Sequence, residues 1–201
     1  MNAMSLRFRG MVLALLLALA LSGCGSMLAQ NPGGKLKPVN AVAEGNDGSV
    51  MLKGADVVAY FRQGKFVPGN PQLTSTYEDV AFRFSSPEHK AMFDREPDRY
   101  LPQYGGYCAN GITYGIPWGG DADTWKIIGG KLYIFGGQGS KDAFELDEKR
   151  NTELADTYWK DEIAGSNSFI RRIWRLVVKV PHYQSGEELA KAVAEARAKG
   201  K

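Results

Sequence analysis

The sequence predicts an α+β fold in which a small antiparallel sheet with one short helix is followed by a helical carboxy-terminal region. Two hairpin patterns and a later change of periodicity support this class. Residues 74–84 and 125–135 each hold two β-prone arms around a turn, whereas the chain after Gly139 has apolar residues at helical spacing. Strands early in the chain and helices late are typical of α+β proteins rather than of alternating βα units.

The amino terminus has the pattern of an export signal. Two arginines precede the apolar run 11–21, which is too short to span a bilayer comfortably. The run ends in Leu21-Ser-Gly-Cys24, which resembles the lipobox of bacterial lipoproteins. We therefore expect residues 1–23 to be a lipoprotein signal peptide and Cys24 to carry the lipid, because a thiolate is nucleophilic enough to accept it. The alternative is an ordinary signal peptide followed by an incidental cysteine.

The residue after the cysteine bears on location. Gly25 follows Cys24. An aspartate at this position would resemble the retention signal of inner-membrane lipoproteins, and it is absent here. We therefore expect palmitate-type acyl groups to hold the protein in the outer membrane, facing the periplasm, with the lipid bilayer as its first partner.

Composition excludes several function classes. Removal of the leader takes two arginines and no acidic residue, so 23 of the 25 basic residues remain against 22 acidic ones. This balance argues against nucleic acid as a partner. No carboxylate pair, serine triad, phosphate-binding loop or zinc spacing appears, so the sequence favours a protein that is not an enzyme without deciding the question. Cys108 is the only other cysteine and cannot form a disulfide within the mature chain.

The chain divides into three parts after the leader. Residues 24–49 are rich in Gly, Pro and Asn and predict a flexible tether. Residues 50–137 carry the β-rich pattern and predict the folded domain, and residues 138–201 predict a helical extension.

Local signals place the strands. Residues 56–61 are a short β-prone run and predict a strand. The hairpin over 74–84 is expected to turn near Glu78-Asp79. The hairpin over 125–135 is expected to turn at Gly129-Gly130, which tolerates the positive φ of a tight turn.

Capping signals place the helices. Ser85 or Ser86 can cap a helix whose length Pro97 limits. Ser140 can cap a second helix. Another helical pattern runs from Asn167 to Val180. A last helix begins at Ser185, where Glu188 completes a capping box.

Several of these segments resemble a YHS domain over residues 50–137. The stretches that carry the resemblance are Asp56-Val-Val-Ala-Tyr-Phe61, Phe82-Arg-Phe-Ser-Ser86, Phe93, Pro97, Tyr100, Pro102-Gln-Tyr-Gly-Gly-Tyr-Cys-Ala109 and Gly130-Lys-Leu-Tyr133. The resemblance is to an exported branch with a single cysteine, in the Gly-Gly-Tyr-Cys-Ala stretch. Members of the wider family that handle heavy metals have cysteines at three positions that are Ala59, Ser85 and His89 in this chain. The chain therefore lacks the thiolate ligands that those members use.

Cys108 is the residue on which the chemical hypotheses depend. In the first, it binds a soft metal ion such as copper, with His89 as a weaker second ligand. In the second, it is the reactive group of a thiol redox enzyme or sensor that needs an external reductant. In the third, Cys108 is a small buried hydrophobe and the protein is an envelope module that binds another protein. Unless it is a ligand, His89 is expected to be exposed in the first turn of its helix.

The segment 167–180 leaves two possibilities open. Its apolar residues fall on one helical face and its basic residues elsewhere, so the helix could lie on an anionic membrane surface. Alternatively, the apolar stripe packs on the core while the arginines face water. The second arrangement is favoured because six large apolar residues exceed what a surface helix normally needs; they are Phe169, Ile170, Ile173, Trp174, Val177 and Val178.

Overall fold

The computed structural model describes Leu36, residues 38–44 and residues 47–200. Four strands form one sheet in the order β1-β2-β4-β3, and two more form a separate hairpin. The strands are β1 Ala41–Glu44, β2 Asp47–Met51, β3 Asn70–Tyr77, β4 Val80–Phe84, β5 Asp121–Ile128 and β6 Lys131–Phe135. One pairing is parallel, between β2 and β4 where Val50 meets Ala81, and the other three are antiparallel.

Eight helices surround these strands in the described part of the chain. They are α1 Val57–Arg62, α2 Pro87–Arg95, α3 Pro97–Tyr100, α4 Ala109–Ile112, α5 Gln138–Glu145, α6 Glu148–Tyr158, α7 Ser168–Val177 and α8 Gly186–Ala198. A π-helical turn, Trp159–Ile163, continues α6. The mixed architecture confirms the predicted α+β class. Four of the helices lie before residue 137, where the sequence predicted one.

Both predicted hairpins are confirmed, and their turns have the expected backbone. Glu78 and Asp79 have φ of 50° and 64°, and Gly129 and Gly130 have φ of 56° and 77°. Two successive left-handed residues match the twist of the flanking strands.

Two predicted helix starts are also confirmed. The Ser86 hydroxyl accepts from the His89 amide at 3.1 Å, and Pro87 opens α2. At α8, Ser185 and Glu188 form the predicted capping box. The prediction that Ser140 caps a helix was wrong, because α5 begins earlier, after Gly137, whose φ of 94° turns the chain into the helix.

The predicted strand at 56–61 is instead the helix α1. The Asp56 carboxylate accepts from the amides of Val58 and Ala59, at 3.0 and 3.2 Å, and so caps the helix. Capping and burial of this segment outweigh the β preference of its valines and aromatic residues.

The predicted tether extends too far along the chain. Pro38 and Val39 are buried, and β1 and β2 occupy most of the residues up to Met51. The Asn40 side chain donates to the carbonyls of Gly106 and Gly120, at 2.9 and 3.1 Å. The folded domain therefore begins by residue 38, and the earlier part of the predicted tether lies outside the described residues except for Leu36.

Three apolar clusters form the core, and two of them cross the predicted boundary at residue 137. The first cluster contains Phe82, Phe84 and Phe93 from the sheet and α2. The second joins Phe135 of β6 to Phe144 of α5, with the two rings 5.3 Å apart and edge to face. The helical extension thus completes the core of the domain before it.

A buried carboxylate connects three elements of the first cluster. Asp56 is 0% exposed, and its Oδ2 accepts from the Ser85 amide at 2.8 Å, the Ser85 hydroxyl at 2.6 Å and His89 Nδ1 at 2.7 Å. With the two α1 amides, five donors surround one carboxylate. Charge-assisted bonds of this kind are stronger than neutral ones, so Asp56 fixes α1, the end of β4 and α2 relative to one another.

We expect Asp56→Ala to lower the free energy of unfolding by about 3 kcal/mol or more, because it leaves several buried donors without an acceptor. Urea unfolding followed by circular dichroism measures the loss. The exposed Asp161 provides the control, since Asp161→Ala should change stability by less than about 0.5 kcal/mol. Equal effects of the two substitutions would show that Asp56 does not hold these elements together.

Candidate functional site

A left-handed turn precedes Cys108 and is required by close packing. Tyr104, Gly105 and Gly106 have φ of 54°, 60° and 79°. A Cβ at Gly105 would lie 2.3 Å from the carbonyl oxygen of Pro38, so no larger residue fits there without a shift of the backbone. The glycine at position 105 therefore permits the contact between this turn and the chain at residue 38.

Cys108 itself lies at the start of α4 and is 3% exposed. Its side chain makes no capping hydrogen bond, and its amide donates to the Trp118 carbonyl at 2.9 Å. The thiol packs beside Gly136, where a Cβ would lie 3.5 Å from Sγ. These surroundings are those of a small buried hydrophobe.

His89 is buried, which corrects the expectation that it would be exposed. Its Nδ1 lies 2.7 Å from Asp56 Oδ2, and its Nε2 lies 3.5 Å from the side-chain amide nitrogen of Gln63. Its partners are those of the α1–α2 junction, whereas Cys108 contacts the segment around Gly136. In the described part of the chain, no group of three or more His, Cys, Asp or Glu side chains is placed to hold a metal ion. Cys24 lies outside the described residues.

Tyr107 connects the turn before Cys108 to α7. Its hydroxyl lies 3.1 Å from the Val39 carbonyl and 3.0 Å from the Ser168 hydroxyl, and both Tyr107 and Ser168 are buried. Burial raises the pKa of Tyr107 to about 12, although the bond to Ser168 and the charge of Arg172 act in the opposite direction. The phenol therefore stays protonated at neutral pH, and it fixes the first turn of α7 against the domain.

Two arginines attach the rest of α7 to the protein. Arg172 donates through Nε and Nη2 to the Pro117 carbonyl, at 3.1 and 2.7 Å, and lies over the ring of Trp118. Arg175 forms a two-pronged ion pair with Glu162 and lies over the ring of Tyr158. Ser168, Arg172 and Arg175 share one helical face, and that face points toward the domain.

The opposite face of α7 is apolar and exposed. We define the α7 apolar face as Ile170, Ile173, Trp174 and Val177, which recur at the spacing of one side of a helix. Val177 is 77% exposed and Ile170 is 61% exposed, and the other two are about half exposed. The favoured expectation, that the apolar stripe packs on the core while the arginines face water, was therefore wrong. The polar side is attached and the apolar side is free in the described structure.

Cationic side chains lie next to this face. Arg171 reaches Glu162 only at 3.4 Å, and Lys179 follows the end of the helix with its ammonium group 4.3 Å from the ring centre of Tyr183. Arg172 and Arg175 belong to the attached face, so the basic side chains near the apolar face are Arg171, which Glu162 opposes, and Lys179. The surface thus combines an apolar stripe that includes a tryptophan with two basic side chains.

Comparison of the chain with protein-family models, with curated proteins and with solved structures gave no match. The candidate site must therefore be interpreted from its own geometry. Sequence reasoning singled out the 167–180 segment but assigned its two faces the wrong way round. The signal available in the sequence was the arrangement of Ser168, Arg172 and Arg175 on a single face, suited to carbonyl and carboxylate partners.

We expect Cys108 to react with iodoacetamide at least about 100-fold more slowly in the native protein than in denaturant, because reaction requires local opening. The rate of alkylation is followed by mass spectrometry. A matched control carries Cys108→Ala together with Ala198→Cys, whose thiol lies on the exposed end of α8 and should react at similar rates in both conditions. Rapid native modification that copper(I) blocks would instead support the metal-ligand hypothesis.

Proposed function

We propose that the protein is an exported lipoprotein whose YHS-like domain is a binding module that lies on a membrane surface through the α7 apolar face. Cys24 would carry the lipid that holds it at the periplasmic side of the outer membrane. The observation that carries the proposal is the exposure of the α7 apolar face opposite the arginines that attach the helix.

The exposed face favours a covering partner on physical grounds. Four large apolar side chains on one helical face form a continuous patch, and such patches mark sites of interaction with proteins or membranes. Burying one such side chain contributes about 1.5–3 kcal/mol when it moves from full exposure to full burial. Removal of the α7 apolar face from water would therefore stabilise the bound state appreciably.

The length and charge of α7 suit a bilayer surface. None of the described helices is long and apolar enough to cross a membrane. The ten residues of α7 extend about 15 Å, which suits a helix that lies in the plane of the interface. Trp174 belongs to the residue type that is enriched at the headgroup level, and the basic groups beside the face attract anionic lipids.

The lipid anchor and α7 would act together. The acyl groups on Cys24 would hold the domain at the surface, and a second membrane contact adds its own free energy and fixes the orientation of the domain. Because the anchor holds the domain close to the bilayer, the helix meets the surface at a high effective concentration. A modest affinity of α7 therefore suffices to hold the domain in one orientation.

The two hypotheses that give Cys108 a chemical role draw no support from its surroundings. The thiol is buried beside Gly136, and His89 is engaged with Asp56. The third hypothesis, an envelope module in which Cys108 is a small buried hydrophobe, fits this arrangement best, although the partner proposed here is the bilayer and not another protein.

We expect the double substitution Ile173→Ser and Val177→Ser to weaken binding of the unlipidated protein to anionic vesicles by at least about tenfold, because two exposed apolar side chains are lost. Co-sedimentation with vesicles of mixed phosphatidylglycerol and phosphatidylcholine measures the affinity. The control is Phe66→Ser with Leu146→Ser, two side chains exposed to 40% and 42% away from α7.

Equal binding by the two double variants would contradict the proposal. Sedimentation equilibrium without lipid provides a further check. If the native protein dimerises and only the α7 variant is monomeric, a second copy of the chain, and not the bilayer, covers the face.

We expect Lys179→Ala to reduce affinity for anionic vesicles by about fivefold and to leave binding to neutral vesicles unchanged, since one basic residue near an anionic surface contributes about 1 kcal/mol. The same titration at raised salt should remove the difference. Lys65→Ala, at an exposed position in the loop after α1, is the matched control. An equal loss on neutral and anionic vesicles would show that the lysine acts through packing and not through charge.

A further inference from the structure

A cleft beside the start of α7 shares two residues with the α7 apolar face. It has a volume of about 330 Å³, within the range of roughly 300–1,000 Å³ typical of small-molecule sites. Ile170 and Trp174 form its apolar wall, and Arg171 supplies the charged side chain of the lining. Ser166 and Asn167, from the turn that precedes the helix, complete it. The cleft therefore joins the exposed apolar face to a cation and a polar turn.

The Arg171 guanidinium is only weakly paired within the protein. Its neighbour Arg175 contacts both carboxylate oxygens of Glu162, with Nε 3.0 Å from Oε2. Arg171 reaches the same Oε2 through Nη1 at 3.4 Å. Charge-assisted hydrogen bonds between nitrogen and oxygen are normally about 2.7–2.9 Å long. One carboxylate thus faces two guanidinium groups, Arg175 takes the better contacts with it, and the three side chains together keep an excess of positive charge.

The other nitrogen atoms of Arg171 can bind an anion. Nε and Nη2 of this side chain bond to no residue in the described part of the chain. The side chain is 28% exposed, so an anion can replace the water at its free edge. A guanidinium presents parallel N–H groups in a planar fork, which bind two oxygens of a phosphate or carboxylate at once.

The position of the cleft identifies the source of that anion. When the α7 apolar face lies in the membrane interface, Ile170 and Trp174 contact lipid at the depth where headgroups begin. The cleft next to them then meets headgroups, and the anionic group of every phospholipid headgroup is a phosphate. The Ser166 hydroxyl donates to the Ile163 carbonyl at 2.7 Å, and its oxygen is able to accept from a hydroxyl group of the headgroup.

We propose that this cleft binds the phosphate of one phospholipid headgroup through the fork of Arg171, while the acyl chains of that lipid lie along Ile170 and Trp174. This inference rests on the proposed membrane contact of the α7 apolar face and adds a specific ligand to it. Diffuse attraction to an anionic surface requires only the charge of a basic residue. The headgroup site requires an arginine, because lysine keeps the charge and lacks the planar fork.

The test measures whether the Arg171 guanidinium lies next to lipid phosphorus. Unlipidated protein, isotope-labelled at the Cζ carbon of its arginines, is bound to vesicles of mixed phosphatidylglycerol and phosphatidylcholine. Rotational-echo double-resonance NMR then detects the arginine carbons whose signal is dephased by nearby phosphorus. We expect strong dephasing of an arginine signal that disappears in Arg171→Lys, since a hydrogen-bonded phosphate lies close to Cζ. Arg99→Lys, at a side chain that is 63% exposed and outside α7, should leave the signal unchanged.

The affinity for the same vesicles provides a second readout. Arg171→Lys should weaken co-sedimentation about threefold or more although the net charge of the protein is unchanged, because the two parallel bonds to phosphate are lost. Arg99→Lys should bind like the native protein. Equal affinities of the native protein and Arg171→Lys would show that Arg171 acts by charge alone and would overturn the headgroup site.

The remaining outcomes separate this site from the membrane contact on which it rests. If vesicle-bound protein shows no dephased arginine signal, or a signal that survives Arg171→Lys, the headgroup site is overturned and the membrane contact stands. If the native protein does not sediment with the vesicles, both are overturned. Strong dephasing of the Arg171 signal by inorganic phosphate in the absence of vesicles would show that the cleft takes free phosphate, which would overturn the lipid as its ligand.

Discussion

The ion pair between Arg175 and Glu162, together with the bond from Arg172 to the Pro117 carbonyl, decides which side of α7 faces the domain. A guanidinium that is partly removed from water must keep its partners, since a lone buried charge or carbonyl is costly. Rotation of the helix to bury its apolar face would break both attachments. The exposed stripe is therefore a consequence of how the polar side is held.

The stretch from Pro102 to Ala109 supports the same attachment from the other side. Gly105 permits the chain at Pro38 to approach the turn before Cys108, and Tyr107 extends from that turn to both Val39 and Ser168. The buried Tyr107 hydroxyl thus connects three segments, namely the first residues of the domain, the turn before Cys108 and the start of α7. The glycines, the tyrosine and the cysteine of this stretch have packing roles that need no reaction at the thiol.

Features set by a few neighbouring residues were predictable from the sequence, including the two hairpin turns and the caps at Ser86 and Ser185. Features set by distant partners were not. The β-prone run after Asp56 became a helix, and His89 became buried, because Asp56 gathers donors from three elements. Apolar periodicity located α7 but could not show which face is attached, since that depends on carbonyl and carboxylate groups elsewhere in the chain.

The depth of a spin label on the α7 apolar face shows whether that face meets lipid. Val177→Cys, in unlipidated protein that also carries Cys108→Ala, receives a nitroxide, with Ala198→Cys as the comparison position. With anionic vesicles, we expect the label at 177 to gain collisions with oxygen and to lose collisions with a water-soluble nickel chelate, while the label at 198 changes little. Unchanged accessibility at 177, or the same change at both positions, would contradict it.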